Sequence, residues 1–213
     1  MHYFTHSEAR HNQPNEDTIA AQAHPSAAHV LLCVLADGQG GQVGGALASQ
    51  SAVQTALEFA RACPVAQLMD RATWAKLVSA ADAVVSADPK AGFTTLISIG
   101  VVANQIVGAS CGDSTALLIG KGHYTELTAK QRKNPPVGSH AALPSPFMAR
   151  LRPGSMLLIM SDGVWKGVGY EAIVQLAQST HGNELIHAVR RLQVTQHGGQ
   201  LPDDFSMIVV QEP

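Results

Sequence analysis

Seven consecutive apolar residues, Val30 to Ala36, end on Asp37, and glycine then dominates as far as Gly45. A short apolar run bounded in this way reads as a strand buried on both faces. Such a strand anchors its backbone in a core and leaves a carboxylate at its tip, where a cleft can reach it. The glycines that follow let a loop meet a ligand with bare backbone, which a larger residue would block. The same design recurs at Met156–Gly163 (MLLIMSDG) and, inverted, at Asp203–Val210 (DDFSMIVV). Three buried strands, each with an aspartate at one end, predict a carboxylate cluster suited to a hard metal cation.

The chain around these strands, 213 residues with 46% apolar side chains, has the length and the hydrophobic content for one domain with a large core. A net charge of −2 with scattered basic residues argues against nucleic acid as a partner. Cys33, Cys63 and Cys111 lack paired spacing, so they read as free thiols in a reducing compartment rather than as disulfides or zinc ligands. The opening MHYFTHSEAR has no signal-peptide pattern, and no apolar run reaches membrane-spanning length. The expectation is a soluble cytoplasmic protein with no membrane partner.

Strands are expected at His2–Thr5, Thr18–Ala23 and Val30–Ala36, with a polar loop from Arg10 to Glu16. Val43–Cys63 and Asp70–Ser86 carry apolar residues at helical spacing, with Pro64 between them. From Gly92 onward, Thr94–Val102, Gln105–Cys111, Thr115–Ile119 and His123–Glu126 read as an antiparallel meander, with Gly112–Asp113 as one of its hairpin turns. Lys130–Arg152 reads as a long proline-rich loop whose basic residues are solvated. Then come a strand at Met156–Ser161, a turn at Asp162–Gly163, helices near Glu171–Gln178 and Glu184–Gln196, and a last strand at Ser206–Gln211. Trp74, Met148, Met156, Met160 and Met207 are assigned to the core, and the ten histidines to the surface, with His6 or His11 alternatively approaching the site beside Arg10. The order of elements predicts a layered α+β architecture.

RHNQPNED, LADGQGG, CGDS, MSDGVW and PDDFSMIVV, taken in this order, resemble the metal-dependent protein phosphatases of the protein phosphatase 2C family, of the compact bacterial type. The resemblance spans nearly the whole chain. It implies an α-β-β-α sandwich, two antiparallel sheets flanked by helix pairs, and the activity of a protein serine/threonine phosphatase. It implies two Mn²⁺ or Mg²⁺ ions and direct attack on phosphorus by a hydroxide bridging them. By the resemblance Asp37 bridges both ions, and Gly38 (by its carbonyl) and Glu16 serve one of them. Asp162 and Asp203 bind the other, Asp17 orients waters, and Arg10 grips the phosphate with its planar fork.

Four departures from the family pattern bear on function. The spacing from Arg10 to Glu16 is longer than usual, and Gln39 replaces a residue that in many members is a histidine. Asp113 matches a third-metal position whose usual partner is here Lys166, a cation that pairs with Asp113 or with a substrate phosphate instead. The flap around 127–155 is reduced. The implied partner is a phosphorylated protein, with an opposing serine/threonine kinase. Two alternatives stand beside this reading: a catalytically silent regulatory or scaffold module of the same fold, and a phosphatase for small molecules.

Overall fold

The computed structural model describes residues 1–39 and 44–212. Among them, β1 (His2–Glu8), β2 (Asp17–His24) and β3 (Ala27–Asp37) lead into α1 (Gly45–Ala62) and, after a 3₁₀ turn at Val65–Met69, α2 (Arg71–Ala87). Next come β4 (Leu96–Val102), β5 (Gln105–Cys111), β6 (Thr115–Gly120), β7 (His123–Glu126), β8 (Ser145–Arg150) and β9 (Met156–Met160). The chain finishes with α3 (Asp162–Val168), α4 (Tyr170–Leu176), α5 (Gly182–Gln196) and β10 (Phe205–Gln211).

Two antiparallel five-stranded sheets result, in the orders β1-β10-β9-β6-β7 and β2-β3-β4-β5-β8. Strand periodicity explains how they stack. In β3, Leu31, Cys33 and Leu35 face the other sheet and meet Ile159, Ile208 and Val210, while Val30, Leu32, Val34 and Ala36 face α1 and α2. On the far side, Leu158, Met160, Met207 and Val209 pack against α4 and α5 through Ile173, Leu185 and Val189. The four layers are the expected sandwich, and β3 is indeed buried on both faces.

Several local expectations are corrected. β4 to β7 are not one meander: β4 and β5 pair in one sheet, β6 and β7 in the other. Gly112–Asp113 is therefore the crossing between sheets, with Gly112 at φ +121° against the Thr95 side chain. The proline-rich loop contains β8, an edge strand on β5 that tolerates Pro146 because an edge has a face with no ladder to serve. Asp162–Gly163 opens α3 rather than forming a free turn, and Asp70 caps α2 by accepting from the Ala72 amide at 2.9 Å. Met148 stands 46% exposed on β8, outside the core, whereas Trp74 and Met207 are fully buried. His24 is buried too, bonded to the Cys63 carbonyl, against the surface expectation. Val43, the expected start of the first helix, lies outside the described residues, as do Gly40, Gly41 and Gln42 of the glycine-rich loop.

Candidate active site

The alternation that buries β3 also aims Asp37. Leu31, Cys33 and Leu35 point between the sheets, so Asp37 points the same way, at the open end of the sandwich. Its cross-strand partner in register is Asp17, on the same face of β2. Backbone and threonine bonds fix the tip. The Asp37 amide donates to Thr95 Oγ1 at 3.0 Å, and Thr94 Oγ1 donates to the Asp37 carbonyl at 2.8 Å. Gly38 donates to the Glu16 carbonyl at 3.1 Å and is packed so closely on Gly45 and Glu16 backbone that no side chain fits there.

Around this tip is a cleft of about 350 Å³ whose lining brings together Arg10, Glu16, Asp37, Asp113, Asp162 and Asp203. Asp17 sits beneath it, and Gln39 forms part of the rim. Every residue selected from the sequence is therefore at or under one cleft, although they come from both sheets and from segments some 190 residues apart. Asp204, absent from the sequence-based selection, holds it closed at one side. Its two oxygens accept from the Arg10 amide at 2.8 Å and the Glu16 amide at 2.7 Å, stapling both ends of the β1–β2 loop to the start of β10. This staple accommodates the long Arg10–Glu16 spacing. The Arg10 guanidinium reaches Asp203 at 3.2 Å and Glu16 at 3.8 Å, and its Nε is buried without a partner. Strand parity offered the signal for Asp204, which shares the inward phase of Ser206, Ile208 and Val210.

Charge is unbalanced here. Seven carboxylates, at Glu16, Asp17, Asp37, Asp113, Asp162, Asp203 and Asp204, face three cations, Arg10, Lys133 and Lys166. Burial, then the neighbouring Asp17 and Asp162, pushes the Asp37 carboxyl up to about 10. Burial likewise raises Asp17 to about 7 against the pull of the Ser206 and Ser161 hydroxyls, and its Oδ2 is buried with no hydrogen-bond partner. Glu16 is raised by burial despite Arg10. Without a cation, Asp37, Asp17 and Glu16 hold their protons to higher pH than ordinary carboxylates do.

The far wall is different. Lys133 and Lys166 both bond Asp113 Oδ2, at 2.7 and 2.9 Å, and Lys166 also bonds Asp162 at 2.6 Å. Burial alone would raise Asp113, yet the two ammonium groups hold it below its ordinary value. Lys166 is thus paired as anticipated, whereas Lys133, read from sequence as solvated, is pinned to the site. With these cations engaged, no three His, Cys, Asp or Glu side chains among the described residues stand in a ready-made ligating arrangement. The donor set nevertheless fits a hard divalent ion: it is all oxygen, rich in carboxylate, and includes an unpartnered buried oxygen. No histidine lines the cleft among the described residues; His11 lines the adjoining groove beside Arg10, and His6 packs on Phe205.

The sequence matches the family model described as Protein phosphatase 2C over residues 6–191. No curated protein matches the chain. Among solved structures, the serine/threonine phosphatase Stp1 from Staphylococcus aureus superposes with a TM-score of 0.81 at 19% identity, covering 99% of this chain and 94% of that one. The Mycobacterium tuberculosis serine/threonine phosphatase PstP/Ppp gives a TM-score of 0.80 at 24% identity, covering 99% of both chains. The catalytic domain of PstP, solved in complex with 2 manganese ions, is 25% identical with a TM-score of 0.79, covering 98% and 96%. Motif order, four-layer sandwich and carboxylate cleft agree with the family match, and this chain belongs to the protein phosphatase 2C family.

Proposed function

We propose that the chain is a Mn²⁺- or Mg²⁺-dependent protein serine/threonine phosphatase acting on phosphoproteins, opposite a serine/threonine kinase. The observation that carries this reading is the Asp17–Asp37 pair, in register across β2 and β3 beside Asp162, with Asp17 Oδ2 buried and unpartnered, an arrangement a cation relieves. The similarity to a PstP catalytic domain that binds two manganese ions supports it. We read residues 1–213 as a single catalytic domain with its flap reduced to the segment 127–155, in the cytoplasm. No helix among the described residues is long and apolar enough to cross a membrane.

Asp37, Glu16 and the Gly38 carbonyl would hold one ion, and Asp37, Asp162 and Asp203 the other. Two such ions, when bound, supply Lewis acidity that activates water at neutral pH and neutralises phosphate charge. The chain supplies the rest. Arg10, held at its backbone by Asp204 and lining the cleft, is placed to grip phosphate oxygens with its fork. Asp17, opposite Asp37, would orient waters by accepting their hydrogen bonds. Thr94 and Thr95, the hydroxyl side chains lining the cleft, are occupied with Asp37 backbone and Ser114. They leave the attack to water and no phosphoenzyme forms. Lys166 occupies Asp113, so this position carries no third ion. With Gln39 on the rim in place of a titrating group, aryl phosphates, whose leaving group needs no proton, are the better substrates.

The test is hydrolysis of p-nitrophenyl phosphate and of a phosphothreonine peptide with Mn²⁺, Mg²⁺ or EDTA, beside Asp37→Asn. Turnover that needs metal and Asp37 supports the reading. One observation favours the scaffold alternative: Lys166 already satisfies both Asp162 and Asp113. Absence of turnover together with a metal-induced rise in Tm would select it.

A further inference from the structure

Asp82 belongs to α2 and is 5% exposed. Its Oδ1 accepts from the backbone N–H of Gly138 at 2.7 Å and of His140 at 3.2 Å, and its Oδ2 from Ala142 at 3.1 Å. Among the described residues no lysine, arginine or histidine pairs with it. Three backbone donors alone make this buried charge tolerable, and the carboxylate in turn satisfies three amides of a segment that has no strand to bond them. Gly138 lies at φ +101°, where a Cβ would come within 2.8 Å of the Gly92 carbonyl and 2.9 Å of Val85 on α2. The loop is seated on the helix at this point.

Immediately upstream, the same loop becomes a wall of the cleft. Lys133, Asn134 and Pro136 line it. Val137 exchanges two backbone bonds with Thr94, at 3.0 and 3.1 Å, and Thr94 in turn holds the Asp37 carbonyl. Lys133 ties the other end to Asp113.

We propose that Asp82 is a positioning residue that fixes the Lys133–Pro136 wall and so selects which phosphorylated segments enter the cleft; the selection rests on the phosphatase reading above. Asp82 touches no substrate and acts through the backbone of 138–142. A wall fixed in advance discriminates by the shape of the residues flanking the phosphate. A small aryl phosphate, which occupies only the centre, is indifferent to it.

The test pairs Asp82→Asn, which exchanges one acceptor oxygen for a donor, with Gly138→Ala, which unseats the loop while leaving α2 intact and serves if the first variant does not fold. Amide exchange at His140 and Ala142 is expected to accelerate about tenfold or more in both. The KM for a phosphothreonine peptide should rise about five- to tenfold, with kcat for p-nitrophenyl phosphate held within about twofold. Unchanged exchange overturns the anchor. A parallel loss of kcat on both substrates, without the KM split, overturns positioning and leaves Asp82 a structural residue. If the wild type turns over neither substrate, the phosphatase reading and the selection fall together, while the exchange measurement decides the anchor on its own.

Discussion

Asp82 on α2, which is buried, and Asp37 at the tip of β3, which opens onto the cleft, are aspartates in the same helix-and-sheet half of the sandwich, and their surroundings are opposite. Asp82 receives three backbone N–H groups within 3.2 Å. Asp37 faces Asp17 across the strand pair and Asp162 beside it, and its carboxyl is pushed up to about 10 by burial and by those neighbours. One carboxylate is satisfied by donors as the chain folds; the other is surrounded by its own kind, as the proposed metal site requires. Burial alone therefore does not mark a functional acid in this molecule. The difference lies in the company each keeps: three N–H donors around Asp82, other carboxylates around Asp37.

The contrast can be broken most directly with Asp37→Asn. This variant is expected to lower metal-dependent turnover by about a thousandfold, ~4 kcal/mol of barrier, and at the same time to raise the Tm of the metal-free protein. A metal-free Tm that falls instead would show that Asp37 is supported after all. The matching change at the other site, Asp82→Ala, strands three amides and should cost about 2–4 kcal/mol in urea unfolding. Neutral behaviour there would dissolve the distinction from the opposite side.

A pH series sharpens the comparison further. Asp17 and Asp37 titrate in the folded protein at about 7 and about 10, above the ordinary 3.8. Between those values the folded state binds more protons than the unfolded chain. Stability of the metal-free protein is therefore greatest at low pH and is lost as pH rises through about 7 toward about 10. Melting curves at pH 5, 7 and 9 in EDTA should descend, and Mn²⁺ should abolish the descent. The Glu8–Arg190 pair does not interfere, since Arg190 holds Glu8 down to about 2 and its contribution is lost only below the ordinary 4.5. A flat metal-free series would mean that the cluster is not burdened by its charge.

The smallest effect belongs to Lys166→Ala. Releasing Asp162 from a competing ammonium should tighten Mn²⁺ binding by about three- to tenfold, ~1 kcal/mol, in calorimetric titration. Weaker binding would instead mean that Lys166 presents Asp162 to the ion.

What could be read from the sequence followed from periodicity. The runs at Val30–Ala36 and Met156–Met160 announced strands buried on both faces, and an aspartate follows each apolar run, Asp37 at the tip of β3 and Asp162 at the start of α3. Elements whose neighbours are distant in sequence were harder. Nothing local distinguishes a hairpin at Gly112–Asp113 from a crossing between sheets, because the choice is made by where β6 finds its partner, β9. β8 was hidden by Pro146 and by its exposed side chains, since an edge strand lacks the alternation of a covered one. Asp204 and Lys133 escaped because their partners, Glu16 and Asp113, lie 188 and 20 residues away. The acids of the cleft were legible; the groups that restrain them were matters of tertiary geometry.

β1 pairs along its whole length with β10, so that Ser7 and Ser206 share a hydrogen bond across 199 positions of sequence. In time rather than space, this makes the cleft wait for β10. Arg10 and Glu16 emerge early in synthesis, but the Asp204 staple that orders them and Asp203 beside Arg10 arrive only as β10 is made. Contacts of such sequence separation form slowly. The half built from β2 to β5 and the first two helices has its partners close at hand and can collapse first. A ribosome-bound chain that has not yet released β10 is therefore expected to carry a formed core and no working site.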